Sequence, residues 1–107
     1  MENIKHCAIL VRRVEDLWEG TRTSLGLAAH NYYATLFVID VKVEMWDELK
    51  ENLEWLEEME CEYISNMEEN VKHNFRMMSL DEISEELKNM DIIIPFGHRE
   101  QGIGTNG

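Results

Sequence analysis

The residue types in this chain that could do chemistry are two cysteines, four histidines and one pair of adjacent arginines. Cys7 and Cys61 are too few for a disulfide framework, and neither belongs to a repeated metal-ligand spacing. The histidines show none of the short intervals typical of metal sites. They are His6, His30, His73 and His98. The sequence therefore predicts no metal site and no disulfide-stabilised fold.

Arg12 and Arg13 are candidates for binding an anion, because they directly follow an apolar run that ends at Val11. Guanidinium groups beside a helix N-terminus suit a negatively charged group. The alternative is a solvated pair that offsets the charges of Glu15 and Asp16. No glycine-rich phosphate loop follows this run, so a nucleotide cofactor bound in the usual way is not expected. No other cofactor is predicted.

The two thiols stand at positions that are more typical of a core than of a catalytic site. His6 and Cys7 are neighbours on a predicted strand, so their side chains point to opposite faces and do not form a base and nucleophile pair. Cys61 begins a later predicted strand, and Glu60 and Glu62 beside it oppose thiolate formation. Both thiols are therefore predicted to be structural.

The composition limits the classes of partner. The chain has 107 residues and a formal charge of -12, with 22 acidic residues against 10 lysines and arginines. This charge repels nucleic acid and indicates either a highly soluble surface or a surface that docks onto a basic partner. The apolar runs are far shorter than the roughly 20 residues that span a bilayer, and the N-terminus lacks a signal-peptide pattern. We therefore expect no nucleic acid, no membrane association and a cytoplasmic location.

The length fits one domain, which we predict over residues 1–97, followed by a flexible glycine-rich tail at 98–107. A domain of this size has a large surface for its volume, so a homo-oligomer is expected. His98, Arg99 and Glu100 lie in the tail, where they could reach the rim of a site or simply be solvated.

The placement of these residues depends on five short apolar runs that alternate with helix-patterned stretches. The runs predict strands at 4–11, 33–40, 60–65, 75–79 and 91–96. Helical periodicity predicts helices at about 15–31, 44–58 and 80–90, with a shorter one after residue 66. Parallel strands joined by helices need crossovers, so the pattern predicts an α/β fold with a five-stranded, mostly parallel sheet and helices on both faces.

Local signals refine three of these elements. Ser79 and Glu82 have the spacing of a capping box at the start of the last helix, and Asn66 and Glu69 repeat that spacing earlier. Pro95 has no backbone N–H, which predicts that the fifth strand is an edge of the sheet.

Two glycines and one tryptophan carry further predictions. Gly20 and Gly26 weaken the first helix, so we expect close backbone approach to the sheet at these positions. Trp55 lies away from the apolar stripe of the second helix, so it is predicted to be exposed, either alone or as part of a subunit contact.

Open parallel sheets bind ligands outside the carboxyl ends of their strands, where the strand order reverses. With the order 2-1-3-4-5, that point lies between the first and third strands. The candidate ligand-binding residues delivered there are Arg12, Arg13, Ser65 and Asn66.

The chain resembles the DsrE/DsrF-like sulfur-relay family in its order of elements and in the stretches CAILV, SLGLAAHNYYATLFVIDVKV, WLEEMECEYIS and MMSLDEISEELKNMDIIIPF. The resemblance covers nearly the whole chain. It implies a flavodoxin-like three-layer domain, assembly into a trimer or hexamer, and a sulfur-relay protein partner. Some members carry persulfide sulfur on a cysteine just after the third strand.

Laying the family pattern on this chain puts Ser65 where that cysteine would stand. A serine hydroxyl does not form the thiolate that accepts sulfane sulfur. The resemblance therefore implies a non-catalytic binding or assembly subunit. The alternatives are a sulfurtransferase or sulfur carrier that uses Cys61, and a small-anion binding module at Arg12 and Arg13; enzymatic activity is left open.

Overall fold

The computed structural model describes residues 4–96, and the predictions for 98–107 lie outside this range. One sheet contains five parallel strands. They are β1 His6–Val11, β2 Tyr33–Val38, β3 Glu62–Ser65, β4 Arg76–Met77 and β5 Ile92–Phe96. The α-helices are α1 Leu17–Ala29, α2 Asp47–Glu58 and α3 Leu80–Leu87, with 3-10 helices at Val14–Asp16 and Glu68–His73. The predicted α/β fold class is confirmed.

The strand order is β4-β3-β2-β1-β5, so the predicted order 2-1-3-4-5 is wrong. Leu17 of α1 and Leu49 of α2 pack in one core cluster, whereas Ile83 of α3 packs in a second. Crossovers between parallel strands are right-handed, so connections that pass over the same face of the sheet all place the next strand on the same side of the previous one. The first connections therefore build outward from β1 to β4. Only the connection through α3, on the other face, returns the chain to the free side of β1.

The sheet is covered on both faces, and the alternation along β1 shows how. Cys7, Ile9 and Val11 pack into the larger cluster under α1 and α2. Ala8 and Leu10 pack into the smaller cluster under α3. Because successive side chains of a strand point to opposite faces, a continuous apolar run is what a strand buried on both sides requires.

Gly20 allows α1 to lie directly on the sheet. A Cβ at this position would be 2.4 Å from Cγ2 of Val11, which is closer than real Cβ atoms come to any neighbour. The prediction of close approach is thus confirmed at Gly20. It is wrong at Gly26, where an added Cβ would have no atom within 4 Å.

The capping box predicted for α3 is confirmed: the Glu82 N–H donates to Ser79 Oγ at 3.1 Å, and the Ser79 N–H donates to Glu82 Oε1 at 2.9 Å. The capping box predicted at Asn66 is wrong, because the 3-10 helix begins two residues later and its N-cap, Met67, has no side-chain cap.

β5 is an edge strand, as Pro95 predicted. Trp55 is exposed as predicted, at 52%.

Candidate functional site

The four candidate residues lie at the carboxyl edge of the sheet, but the structure does not bring them together in one crevice. β2 lies between β1 and β3, so the predicted crevice between the first and third strands does not exist. Two inter-strand spacings, about 10 Å, separate the end of β1 at Val11 from the end of β3 at Ser65. The arginines and the pair Ser65 and Asn66 are therefore separate groups.

Arg13 is held by the carboxylates that follow it. Its Nε donates to Asp16 Oδ2 at 3.0 Å, and its Nη1 lies 3.5 Å from Glu15 Oε2. Arg12 is exposed to solvent. An external anion would have to compete with both carboxylates for Arg13, so the geometry favours the solvated, charge-offsetting interpretation of the arginine pair over the anion site.

Ser65 is completely buried, with 0% of its surface exposed. Its hydroxyl accepts a hydrogen bond from Asn70 Nδ2 at 2.8 Å and another from the Met67 backbone N–H at 3.1 Å. None of the four cavities described for residues 4–96 has Ser65 in its lining. The side chain at position 65 is an interior hydrogen-bonding group.

Asn70 is the centre of this buried network, and sequence reasoning missed it. Its Oδ1 accepts from the Val43 N–H at 2.8 Å, and its Nδ2 donates to the Val41 carbonyl at 2.8 Å as well as to Ser65. One amide thus joins the loop after β2, the end of β3 and the 3-10 helix. No short-range spacing signals this role, because its partners lie up to 29 residues away.

Asn66 and Asp40 form a second polar link along the same edge. The Asp40 N–H donates to Asn66 Oδ1 at 2.8 Å, and Asn66 Nδ2 donates to Asp40 Oδ1 at 2.9 Å. Asp40 has a φ of 60°, a left-handed conformation that aspartate tolerates better than most residues. This reciprocal pair joins the ends of β2 and β3, so the amide of Asn66 is occupied within the fold.

Both thiols lie in the core. Cys7 is fully buried, and Cys61 is 6% exposed. Burial raises the pKa of Cys7, with a further rise from the Asp91 carboxylate. Burial also raises the pKa of Cys61, and a hydrogen bond from the Ala34 backbone only partly opposes that shift. A raised pKa and low exposure disfavour the thiolate that sulfur transfer needs.

Two cavities lie away from the predicted site. One, of about 380 Å³ at the amino edge of the sheet, is lined in part by His6 and Tyr33, whose rings meet edge to face at 4.9 Å. The other, of about 310 Å³, lies between α2 and the 3-10 helix Glu68–His73. Its lining includes Lys50, Lys72 and Tyr63. Sequence reasoning found neither cavity.

Scans against protein-family models, curated proteins and solved structures find no match. Among residues 4–96, no three His, Cys, Asp or Glu side chains are grouped so that they could hold a metal ion. Within the same range, no helix has both the length and the apolar character needed to cross a bilayer.

Proposed function

We propose that this chain is a non-catalytic binding or assembly subunit of the DsrE/DsrF-like sulfur-relay type. The observation that carries the proposal is the burial of position 65. Where the family resemblance implies a sulfur-carrying cysteine, this chain has a hydroxyl with 0% exposure that accepts hydrogen bonds from Asn70 and Met67. A buried serine held in this way supports a structural role at the position.

The two thiols support the same proposal. Transfer of sulfane sulfur needs a thiolate that a donor can reach, and its rate depends on the thiolate fraction. Cys7 and Cys61 are both buried, and their pKa values are raised above that of a free thiol, chiefly by that burial. Use of Cys61 as a sulfur carrier would require the fold to open around β3.

The sheet edges support assembly into a homo-oligomer. β5 is one edge, and Ile93 on it is 45% exposed. β4 is the opposite edge, where Met77 is 47% exposed. Exposed apolar edge strands promote association unless something covers them. Two different edges at opposite ends of one sheet, each with an exposed apolar side chain, suit a head-to-tail contact, which forms a ring such as the expected trimer when the rotation between subunits closes.

The assembly part is tested by light scattering coupled to size exclusion. The chain has a mass of 12.6 kDa, and we expect the full chain to elute at a multiple of it, a trimer or hexamer. Ile93→Glu and Met77→Glu should each shift the mass toward the monomer, because each places a charge in the contact. Trp55→Ala is the control, since Glu51, Glu54 and Glu58 surround this exposed side chain and oppose contact between like surfaces.

A monomeric wild-type protein, or edge variants with unchanged mass, would contradict the assembly proposal. The non-catalytic part is tested separately by incubation with sodium polysulfide, alkylation and mass spectrometry. We expect no persulfide on either cysteine of the native protein. A persulfide that Cys61→Ser removes, with the oligomer intact, would replace the proposal with the sulfur-carrier alternative.

A further inference from the structure

The polar side chains around the cavity at the amino edge of the sheet are not used by the fold. This cavity of about 380 Å³ is lined in part by Asn31, Tyr32, Tyr33 and Glu60. Within residues 4–96, none of these four side chains forms a hydrogen bond or an ion pair. The buried network and the reciprocal pair at the carboxyl edge, by contrast, use their polar groups internally. Polar groups at the amino edge are therefore available to a ligand.

Three aromatic side chains contribute to the wall of this cavity. The rings of His6 and Tyr33 have centroids 4.9 Å apart and planes at 79°, so they form two walls that meet at nearly a right angle. Tyr32 supplies a third ring, and Met59, which is 39% exposed, adds a thioether. The faces of tyrosine rings attract cations, and apolar side chains suit methyl groups.

Two helices end at this cavity. Ala28, in the last turn of α1, and Met59, the C-cap of α2, both line it. The C-terminal end of a helix carries a partial negative charge, because its last carbonyls have no partner within the helix. Neither helix has a basic residue in its last turn, so this charge is not offset locally. The two helix ends therefore favour a cation.

Glu60 adds a full negative charge to the same wall. The charged side chains that act on the Tyr33 phenol are Glu62, Glu60 and Arg76, two carboxylates against one guanidinium. Burial raises the pKa of Tyr33, and the two carboxylates raise it further against the opposing effect of Arg76. Arg76 Nη1 donates to both carboxylate oxygens of Glu62, at 3.0 and 3.2 Å. The charge left unmatched is therefore that of Glu60.

The other charges near the cavity do not neutralise Glu60. The Asp91 carboxylate accepts a hydrogen bond from the His6 backbone N–H at 2.9 Å, whereas Lys5, the preceding residue, is exposed and does not line the cavity. Imidazole groups are ordinarily uncharged above neutral pH. Among residues 4–96, no lysine or arginine lines the cavity, so its wall is negative.

We propose that this cavity binds a small organic cation, a quaternary ammonium group that carries methyl substituents. A primary ammonium group is more strongly hydrated, so the tyrosine rings and the thioether favour the methylated form. The volume is at the lower end of the range for ligand pockets, about 300 to 1,000 Å³, so the ligand is a small molecule. This inference is independent of the proposed assembly role, because neither Ile93 nor Met77 lines the cavity.

The test is a titration of the ¹⁵N-labelled full chain with choline at low ionic strength and about pH 7.5, followed by amide chemical shifts. We expect saturable shifts confined to residues 4–6, 28–33 and 59–62. The alcohol 3,3-dimethylbutan-1-ol has the shape of choline without the charge, and ethanolamine has the charge without the methyl groups. Each should bind more weakly than choline by about fivefold or more.

Two variants remove different parts of the site. Tyr33→Leu removes a ring but keeps an apolar side chain, so it should weaken choline binding by about fivefold. Glu60→Gly should weaken binding by about the same factor and should also raise the midpoint of thermal unfolding. The midpoint rises because Glu60 follows the C-cap of α2 with a φ of 63°, a left-handed conformation that glycine adopts without strain. Opposite effects on binding and on stability distinguish loss of the site from loss of the fold.

Glu51→Gln is the matched control, because it also removes one carboxylate, and Glu51 lines the separate cavity beside Trp55. It should leave the affinity for choline unchanged. The inference is overturned if no saturable shifts occur, or if they map to the cavity beside Lys50 and Lys72. Equal binding of 3,3-dimethylbutan-1-ol, or equal affinities of the Glu60→Gly and Glu51→Gln proteins, would also overturn it.

Discussion

Asn70 contributes to stability out of proportion to its position in a short 3-10 helix. Asn70→Ala would leave the Val43 N–H and the Val41 carbonyl without this partner, and the Ser65 hydroxyl with only the Met67 N–H. Unsatisfied buried groups cost about 1 to 3 kcal/mol each, with some relaxation, so we expect the free energy of unfolding to fall by about 3 kcal/mol. Urea denaturation of both proteins measures the change.

Asn66→Ala is the control for this prediction, because Asn66 makes a comparable pair of hydrogen bonds with Asp40 in an exposed setting. Water can replace those bonds, so the loss should be about 1 kcal/mol or less. Equal losses of unfolding free energy in the two variants would mean that burial does not increase the contribution of the Asn70 hydrogen bonds to stability. The interpretation of Ser65 as part of an interior network would then lose its support.

At the residue scale, the sequence located position 65 but did not reveal its surroundings. A serine after a predicted strand is expected at the carboxyl edge, and Ser65 lies there. Its burial depends on Asn70, five residues later, and on the loop after β2 folding over it. Neither residue type nor local periodicity encodes a contact of that kind.

At the element scale, the two glycines of α1 form a matched pair. Gly20→Ala would force a methyl group against Val11, whose Cγ2 would be 2.4 Å away, so we expect a loss of about 1 to 3 kcal/mol. Gly26→Ala meets no atom within 4 Å, and alanine is the better helix former, so we expect a gain of up to about 1 kcal/mol. Thermal unfolding, monitored by circular dichroism, distinguishes the expected loss of stability from the expected gain.

A Gly20→Ala protein as stable as the wild type would show that α1 can lift from the sheet at little cost. Loss of stability in Gly26→Ala would point to a contact that residues 4–96 do not reveal. Either result would contradict the packing described for α1.

Helices and strands were predictable because their signals are local: periodicity, apolar runs and the Ser79 capping box lie within a few residues of the element they define. The strand order was not predictable in the same way. The strand order depends on which face of the sheet each helix covers. Both α2 and α3 are amphipathic, and no feature of either helix sequence indicates which face it will cover. Asn66 illustrates the limit, since its capping spacing is overridden by a partner, Asp40, from 26 residues away.

At the scale of the whole molecule, stability should fall in alkaline solution. Burial raises the pKa of Cys7 and Cys61 above the ordinary thiol value, and burial and the Glu57 carboxylate raise the pKa of Tyr63 above the ordinary phenol value. The folded state holds these protons more tightly than the unfolded state. Their contribution to stability is therefore complete below about pH 8 and declines as the pH rises through 9 and above. Urea midpoints measured from pH 7 to 11 test this.

Tyr63→Phe and Cys61→Ala are the variants that test the cause of the stability loss at alkaline pH. Each removes one group with a raised pKa, so each should flatten the decline, whatever its effect on stability at neutral pH. An unchanged slope in both would contradict the assignment of the decline to these side chains. Cys7, Tyr33 and general repulsion in a chain of formal charge -12 would then be the remaining causes.

The position of β5 beside β1 has a consequence for synthesis. Of the described strands, β1 leaves the ribosome first, but one of its two neighbours is the last to emerge. Until residues 92–96 appear, the nascent chain carries a bare flank of β1 with unpaired peptide groups, the kind of surface that templates wrong pairing. The interval before residues 92–96 emerge should therefore be the time when this protein most needs a chaperone.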